Sequence, residues 1–386
     1  MDNLTTACRS GTTDYGPHAI RRLPTRIVRY GWRRILLLTG KDSFQNSGSA
    51  SIMPELRSQV ALEHWTDFAT NTDCRDVEVG LRRVNDFRPD AIVAVGGGSV
   101  MDMAKALCAF ETVTGTDALH AAIRRSAPPA PRRLGLHLAP TTSGSGSEAT
   151  HFAVVYIGEE KYSIAAQSLR PDGITLDPLL AVSGSRYQRA TSGIDAVCQA
   201  IESLWASNGT TSSRRLARHA LALLLSNVEA FVNNPCERSA RAMCIGSHLA
   251  GRAIDVSKTT AAHALSYAIT KRFGHSHGHA VALTLGKFIE RHTAAGAADL
   301  QSNVDIGIHS RTMNFIGGCL GAKTGAEARQ SFEQLLRRIG LHATLAEAGI
   351  VDAEDKAALI SSVNVERLQN NPVKFSAEDL RHIMKQ

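Results

Sequence analysis

The sequence predicts an α/β domain followed by an all-α domain. The first half alternates short apolar runs with glycine-rich turns, whereas the second half, from about residue 186, is rich in alanine and leucine with helical periodicity. A chain of 386 residues is also long enough for two domains. We place the boundary so that the domains are residues 1–182 and 183–386.

Apolar runs mark the strands of the first domain. Strands are predicted for 34–39, 91–95 and 134–139. The run 91–95 is apolar and branched throughout, which is typical of a parallel strand with both faces covered. The run 153–157 predicts the start of a hairpin that turns at 158–160.

Alanine- and leucine-rich segments mark the helices of the second domain. Their apolar residues recur at the spacing of one helix face. Helices are predicted over 194–206, 212–232, 239–254 and 325–339. No internal repeat interrupts this pattern, so the second half is predicted to be one helical domain.

A glycine-rich turn follows the apolar run 91–95. Gly96, Gly97 and Gly98 let the backbone turn tightly and approach a ligand closely. The helix predicted from Val100 onward offers its first amide N–H groups to an anion, and a pyrophosphate fits such a turn. The spacing differs from the Gly-x-Gly-x-x-Gly of many dinucleotide sites, so an ordinary strand-to-helix turn is the alternative interpretation.

Two histidines, an acid and an amide form a candidate metal site in the second half. Asp195 and Gln199 lie one helical turn apart and therefore share a helix face. His263 and His277 can converge on that face from two other segments. This mixture of oxygen and nitrogen ligands suits iron, zinc or manganese. The alternative is that both histidines are ordinary core or surface residues.

Composition and charge exclude several function classes. Hydrophobic residues make up 43% and charged residues 20% of the chain, as in ordinary globular proteins. A net charge of +7 without aromatic-interleaved basic motifs predicts no nucleic-acid partner. No apolar run reaches transmembrane length, the N-terminus lacks signal-peptide features, and the seven cysteines form no Cys-x-x-Cys pair. We therefore expect a cytoplasmic protein without a membrane partner.

These motifs together resemble those of the iron-dependent, or group III, alcohol dehydrogenases. The shared motifs, in the same order, are Gly-Gly-Gly-Ser-x-x-Asp-x-x-Lys over 96–105, the Thr/Ser/Gly-rich segment 140–148, the Asp195 helix, and the His263 and His277 segments. The resemblance covers nearly the whole chain. It implies a dehydroquinate synthase-like fold, in which a Rossmann-like α/β domain binds NAD(P)H and an all-α domain carries a divalent metal, Fe²⁺ or Zn²⁺. It further implies a substrate cleft between the domains and favours a homodimer.

The resemblance also implies which residues bind the cofactor. Thr141, Thr142 and Ser145 are expected on the nicotinamide and ribose side, with Lys161 near a ribose hydroxyl. The full predicted set is Gly40, Ser43, Gly96, Gly97, Gly98, Ser99, Asp102, Thr141, Thr142, Ser145 and Lys161.

The turn after the strand 34–39 bears on the choice between NADH and NADPH. Many NAD-selective relatives have an aspartate where Gly40 falls, and its carboxylate would repel a 2′-phosphate. Gly40 removes that repulsion and Lys41 is suited to bind the phosphate, but Asp42 could act in the opposite direction. The choice of cofactor stays open at this stage.

The chain departs from the family pattern at three places. Gln199 replaces a third metal-binding histidine, and Tyr267 replaces a histidine that many relatives have near the nicotinamide. The segment Ser257, Lys258, Thr259 and Thr260 is polar where relatives are small and apolar. An ammonium and three hydroxyls are suited to bind the phosphate or phosphonate of a substrate. A solvated lysine in a capped turn is the alternative.

The chain resembles one branch of the family, the phosphonoacetaldehyde reductases of phosphonate natural-product, including antibiotic, pathways. The similar segments are 195–205, 152–156 with 161–163, 257–260 and the region near Asn371 and Pro372. The resemblance implies reduction of the small anionic aldehyde phosphonoacetaldehyde to 2-hydroxyethylphosphonate by hydride transfer from NAD(P)H. Asp195, His263 and His277 would hold the metal, with Gln199 as a weak fourth ligand or as a group that contacts the ligands. Tyr267 or a water chain is the expected proton donor, and His279 is a weaker candidate because it need not face the same side as His277.

Three other functions fit parts of the sequence. Another group III dehydrogenase acting on a simple aldehyde or diol would not need Lys258. A lyase of the dehydroquinate-synthase type would share the fold and the metal, but its distinctive motifs are not recognisable. A non-catalytic nucleotide-binding paralogue is favoured by Gln199 and Tyr267, whereas the presence of Asp195 and His277 speaks against it.

Overall fold

The computed structural model describes residues 13–363 and 368–385. The chain forms two compact units that divide between Ser185 and Arg186. This division lies beside the boundary predicted at residue 182. Within the described residues, no helix is both long and apolar enough to cross a membrane.

The first unit is built on a parallel sheet. The strands of this unit are β1 (Thr13–Tyr15), β2 (Arg34–Thr39), β3 (Ala61–Trp65), β4 (Ala91–Gly96), β5 (Gly135–Pro140), β6 (Phe152–Ile157), β7 (Glu160–Ala165) and β8 (Gly173–Leu176). Six of them form the parallel sheet in the order β1-β8-β5-β4-β2-β3, and β6 and β7 form a separate antiparallel hairpin. The helices of this unit are α1 (Leu23–Arg29), α2 (Ser43–Asn46), α3 (Met53–Gln59), α4 (Cys74–Phe87), α5 (Gly98–Phe110) and α6 (Thr116–Arg124).

Helices cover the two faces of the sheet, which explains the unbroken apolar runs. Along β2, Leu36 and Leu38 belong to one buried cluster, which includes residues of α4 and α5. Ile35 and Leu37 belong to the other, which includes residues of α1 and α3. Successive side chains point to opposite faces, so a strand covered on both sides must be apolar at every position.

The carboxyl ends of β2 and β4 mark a topological switch point. The chain leaves β2 toward its neighbour β3 on one side and later leaves β4 toward β5 on the other. In open α/β sheets, ligands bind beyond the carboxyl ends of the strands at such a switch point. The turns that follow these two strands begin at Gly40 and Gly97, so the fold brings two predicted cofactor segments to the same edge.

The second unit consists mainly of helices in its described part. Helix α7 is buried at most positions and packs against α8, α10 and α12. The helices are α7 (Arg186–Trp205), α8 (Thr211–Leu225), α9 (Val228–Asn233), α10 (Glu237–Ser257), α11 (Ala261–Phe273), α12 (His277–Thr293), α13 (Ile306–Cys319), α14 (Gly325–Arg338), α15 (Ala353–Ser361) and α16 (Ala377–Lys385).

One helix prediction needs correction. The segment predicted as a single helix over 212–232 consists of α8 and α9, because the backbone leaves the helical region at Asn227 (φ −130°). The side-chain amide of Asn227 donates to the carbonyl of Leu223 (2.9 Å), which satisfies an acceptor at the end of α8.

Candidate metal and cofactor sites

Three predicted metal ligands meet in the second unit. One ligand atom each from Asp195, His263 and His277 lies within 4.8 Å of the other two. They come from the middle of α7, the first turn of α11 and the first residue of α12. Asp195 and His263 are buried and His277 is partly exposed, so the cluster is closed on one side and open on another.

Gly278 allows α12 to begin close against α7. A Cβ atom at this position would collide with the carbonyl oxygen of Thr191 and lie 2.6 Å from the Cβ of Asp195. Only glycine fits this approach without a backbone shift, and the approach brings His277 to Asp195. The sequence analysis did not single out Gly278.

Glu202 fixes the orientation of His263 and was also missed. Its buried carboxylate accepts hydrogen bonds from the Thr260 N–H (3.1 Å), the Thr260 hydroxyl (2.7 Å) and the Ala262 N–H (3.2 Å), and it contacts His263 Nδ1. It thereby caps the first turn of α11. Since Nδ1 faces this carboxylate, Nε2 is the nitrogen that faces Asp195.

The protonation of this pair follows from its charges. Burial lowers the pKa of His263, but the carboxylates of Glu202 and Asp195 outweigh burial and raise that pKa to about 10. Burial raises the pKa of Glu202, but the facing imidazole and the hydrogen bonds bring it below its ordinary value. Glu202 is therefore a carboxylate, the partner that a metal-binding imidazole usually has on its second nitrogen.

The donor set fits a divalent ion of the iron or zinc class. His263 Nε2 is buried, has no hydrogen-bond partner within the described part of the chain, and lies 3.6 Å from Asp195 Oδ1. A buried nitrogen without a partner is costly unless something ligates it. Asp195, His263 and His277 would hold such an ion, and one carboxylate with two imidazoles is a common set for a catalytic metal.

Gln199 reaches Asp195 through its amide nitrogen. Nε2 donates to Asp195 Oδ2 (3.1 Å), and the side chain is buried one helical turn along α7. This geometry gives Gln199 a role in orienting the aspartate. Its predicted role as a weak fourth ligand stays a prediction.

Tyr267 lies beside the cluster, whereas His279 is turned away from it. The Tyr267 ring stacks on that of His277 with centroids 5.9 Å apart and planes 15° apart, and it is partly exposed. His279 is buried, its Nε2 lies 3.0 Å from the carbonyl oxygen of His342, and burial lowers its pKa to about 4. Of these two residues, Tyr267 has the better position for a proton donor.

The three glycines of the predicted pyrophosphate turn have different surroundings. A Cβ at Gly96 would collide with the Val100 side chain, and one at Gly98 would lie 3.0 Å from the Cβ of Ser145. A Cβ at Gly97 would meet only Thr142, at an ordinary 3.5 Å. Gly96 is thus required for packing, whereas Gly97 leaves space beside the first turn of α5, where the N–H groups favour an anion.

Some predicted cofactor residues have groups that a ligand can use. Thr141 follows β5, next to Gly96, and its buried hydroxyl has no hydrogen-bond partner within the described residues. Thr142 and Lys161 are partly exposed. Gly40 and Ser43 lie in the turn after β2, where a Cβ at Gly40 would contact the Ser43 hydroxyl.

Other predicted cofactor residues bond to the protein. The Ser99 hydroxyl accepts from the Asn71 N–H (3.0 Å). The Asp102 carboxylate accepts from the Ser147 hydroxyl (2.7 Å) and the Val154 N–H (3.2 Å), and burial raises its pKa. The Ser145 hydroxyl accepts from the Ser147 N–H (3.3 Å). These side chains shape the loops around the turn, and their predicted contacts with the cofactor stay predictions.

Comparison with known proteins identifies the family. Two family models match, iron-containing alcohol dehydrogenase over residues 12–178 and the C-terminal domain of the Fe-containing alcohol dehydrogenase family over residues 189–386. The chain belongs to the iron-containing alcohol dehydrogenase family. The predicted family, the predicted fold class and the prediction of an NAD(P)-dependent alcohol dehydrogenase or aldehyde reductase are confirmed.

Individual relatives are named for small and for long-chain substrates alike. The chain is 31% identical over 310 residues, 78% of its length and 77% of the other, to a phosphonoacetaldehyde reductase of Streptomyces viridochromogenes. It is 26% identical over 375 residues, 95% of its length and 92% of the other, to a long-chain-alcohol dehydrogenase of Geobacillus thermodenitrificans. A sulfoacetaldehyde reductase of Bifidobacterium kashiwanohense, solved in complex with NAD⁺, superimposes with a TM-score of 0.85 at 26% identity, covering 97% and 96% of the two chains.

Two of the predicted substrate-binding hydroxyls have partners within the protein. The side chains of Ser257 and Thr260 are fully buried. The Ser257 hydroxyl contacts Ser203 (2.8 Å), and the Thr260 hydroxyl donates to Glu202 and accepts from Trp205 Nε1 (2.9 Å). Both hydroxyls are engaged inside the helical unit, and their predicted contacts with the substrate stay predictions.

Lys258 and Thr259 form the turn between α10 and α11. Thr259 is buried. Lys258 is partly exposed, and its backbone has φ 60° and ψ −179°, a conformation that glycine adopts easily and that costs other residues about 1–3 kcal/mol. Lys258 is therefore the partly exposed member of the predicted set, and its role as an anion ligand stays a prediction.

Proposed function

We propose that this dehydrogenase reduces phosphonoacetaldehyde to 2-hydroxyethylphosphonate, with NADH or NADPH as the hydride donor and Fe²⁺ or Zn²⁺ as the metal. The observation that carries the proposal is Lys258, a cation three residues before the helix that brings His263 to the metal cluster. In phosphonoacetaldehyde, a single methylene separates the anionic phosphorus group from the aldehyde. The identity to the Streptomyces viridochromogenes enzyme supports the same substrate.

The chemistry assigns a task to each part of the chain. In this reaction the carbonyl carbon gains a hydride with its electron pair, the carbonyl π pair moves to oxygen, and the oxygen takes up a proton. A nicotinamide cofactor held at the glycine turn would supply the hydride and become oxidised, and a divalent ion held by Asp195, His263 and His277 would supply Lewis acidity. Tyr267, stacked on His277, is the proposed proton donor.

Lys258 contributes by holding the end of the substrate that does not react. An ammonium that pairs with the phosphonate uses remote binding energy to orient the carbonyl, which raises kcat/KM for the anionic substrate specifically. An uncharged aldehyde of the same length makes no use of that contact.

A comparison of aldehydes tests the proposal. The measurement is the rate of NADH and of NADPH oxidation by the metal-loaded enzyme with phosphonoacetaldehyde, sulfoacetaldehyde and propionaldehyde. We expect the highest kcat/KM with phosphonoacetaldehyde. A preference for propionaldehyde would instead support the general aldehyde or diol dehydrogenase.

Sulfoacetaldehyde is the second candidate substrate. The solved sulfoacetaldehyde reductase that resembles this chain favours it, since a sulfonate and a phosphonate share size and position and differ in charge. A higher kcat/KM for the sulfonate would move the assignment to that substrate while keeping the role of Lys258.

The variant Lys258→Ala separates anion binding from general damage. A hydrogen bond to a charged group is worth about 1.5–3 kcal/mol. The loss should therefore be roughly 10- to 150-fold in kcat/KM for phosphonoacetaldehyde and small for propionaldehyde. Equal losses for both aldehydes would remove Lys258 from substrate binding.

A further inference from the structure

The backbone at Lys258 adopts a conformation that side chains disfavour. Its φ of 60° lies in the left-handed region, and its ψ of −179° is far from the values near +50° at which Asn or Asp are tolerated there. A strained residue persists only where its surroundings hold it, and such residues concentrate at functional sites. The groups that hold Lys258 are therefore of functional interest.

The side-chain amide of Asn370 bridges the two ends of the turn. Its side-chain Nδ2 donates to the carbonyl of Ser257 (2.8 Å) and to the carbonyl of Thr259 (3.0 Å), the residues on either side of Lys258. Its Oδ1 accepts from the N–H of Asn208 (3.0 Å), and its side chain is buried. Donor and acceptor atoms of the amide are thus all engaged, so the group is fixed relative to the helical core.

Two further hydrogen bonds hold the backbone of Lys258. The Ser257 hydroxyl contacts the Lys258 carbonyl oxygen (2.9 Å), and the Lys258 N–H donates to the carbonyl of Ile254 (2.9 Å) at the end of α10. The carbonyl groups of Ser257, Lys258 and Thr259 are therefore all bound by side chains. The turn has little freedom to relax while Asn370 and Ser257 remain.

We infer that Asn370 is a positioning residue for substrate selection, which holds the Lys258 turn in its strained conformation so that the ammonium meets the anionic end of the substrate. The inference rests on the proposed function for its substrate and on the hydrogen bonds above for its mechanism. Asn370 touches neither substrate nor metal and acts through the backbone of Lys258.

The first experiment measures selectivity, the ratio of kcat/KM for phosphonoacetaldehyde to kcat/KM for propionaldehyde. Asn370→Ala should lower this ratio roughly tenfold through a higher KM for the phosphonate. A tenfold change is close to the largest net contribution expected from one hydrogen bond. The double variant Asn370→Ala with Lys258→Ala should be no less selective than Lys258→Ala alone, because both changes act on the same contact between Lys258 and the substrate. If the losses of selectivity in the two single variants add up in the double variant, the inference is wrong.

Asn371→Ala is the matched control. Asn371 is also buried, but its amide bonds to His292 and to the carbonyl of Val373, not to the Lys258 turn. It should lower stability and leave the selectivity unchanged. If Asn370→Ala does not fold, Ser257→Ala removes the inner contact of the turn and should lower selectivity in the same direction. An unchanged selectivity in that variant would count against the inferred link between the turn and substrate selection.

The second experiment measures strain without using a substrate. Lys258→Gly removes the cost of the left-handed backbone and Lys258→Ala keeps it, so the glycine variant should melt a few degrees higher. In the Asn370→Ala background the turn can relax, and the difference should shrink. A glycine variant that melts no higher than the alanine variant would show that the Lys258 turn is not held under strain, and the inference would be wrong.

The two experiments separate the inference from the proposed function. If the wild type shows no preference for either anionic aldehyde, the proposed function fails, and the melting comparison still decides whether Asn370 holds a strained turn. If the preference is present but insensitive to Asn370→Ala, the inference alone fails.

Discussion

At the scale of single residues, Glu202 joins the start of a helix to His263, a candidate metal ligand. The same carboxylate caps α11 and contacts His263 Nδ1. A neutral amide at this position would keep the shape and lose the charge that raises the pKa of His263. Residues of this kind tune a metal without touching it.

Glu202→Gln should weaken metal binding about 10- to 100-fold, the usual effect of removing a carboxylate from a ligating histidine. The measurement is a titration of metal-free protein with Zn²⁺ in competition with a chromogenic chelator. Glu237→Gln, an exposed glutamate at the start of α10, is the control and should bind metal normally. Wild-type affinity in the Glu202 variant would contradict the role assigned to this carboxylate.

Gly40 is the second residue whose identity has a measurable consequence. Gly40→Asp should raise the ratio of NADH to NADPH efficiency by about tenfold or more, since a carboxylate repels the 2′-phosphate. Steady-state kinetics with both cofactors provide the test. Gly40→Ala is the control for the steric effect, because any side chain at this position, charged or not, must move the Ser43 hydroxyl. If the two variants have the same ratio, Gly40 does not face the adenosine ribose.

At the scale of elements, three helices of the second unit converge on one cluster. Helix α7 presents Asp195, Gln199 and Glu202 at spacings of four and three, which places them on one face. The first turns of α11 and α12 meet that face with His263 and His277. The ligand geometry therefore depends on how closely the helix ends approach α7.

Gly278→Ala should separate α12 from α7. The added Cβ collides with the Thr191 carbonyl and the Asp195 side chain, and such overpacking costs about 1–3 kcal/mol. We expect a lower melting temperature and weaker Zn²⁺ binding, measured by thermal unfolding and chelator competition. Gly286→Ala on the same helix is the control, since its Cβ meets neighbours at an ordinary 3.5 Å or more. Similar behaviour of the two variants would contradict this explanation.

The turn between β4 and α5 allows an equally sharp comparison. Gly97→Ala adds a methyl group where the unliganded protein has space, so it should unfold at the wild-type temperature but raise the KM for the cofactor. Gly96→Ala should destabilise the protein, because its methyl group collides with Val100. Melting curves and cofactor titrations distinguish the two. Normal cofactor affinity in Gly97→Ala would mean that the pyrophosphate lies elsewhere.

At the scale of the whole molecule, the two predicted sites belong to different units of the chain. All predicted cofactor residues precede Ser185, and all metal-cluster residues follow Arg186. Damage to one site should therefore leave binding at the other largely intact.

Metal removal tests this independence. Chelation, His263→Ala and His277→Ala should each abolish aldehyde reduction and leave NADH binding, measured by its fluorescence, within about twofold of wild type. Restoring Zn²⁺ or Fe²⁺ should recover activity in the chelated wild type only. Full activity of the metal-free enzyme would disprove Lewis-acid catalysis.

Local signals in the sequence predicted much of the fold. The strands β2, β4, β5 and β6 follow from short apolar runs, and the long helices of the second half follow from apolar periodicity. Strand β3 was not predicted, since its Ala-Leu-Glu-His-Trp sequence lies at the sheet edge and is only partly buried. The break between α8 and α9 was also missed, because Asn227 ends a helix without changing the apolar pattern.

The sequence by itself determined the family, the two kinds of domain, the glycine turn and three candidate metal ligands, because each is encoded in a short motif or a local period. The tertiary structure alone showed the contacts of Glu202, Gly278 and Asn370. Their partners lie far along the chain, 58 residues from Glu202 to Thr260 and 113 from Asn370 to Ser257. No local pattern reports such contacts, since chain folding, not sequence spacing, brings a buried carboxylate, a glycine or an amide to the group it serves.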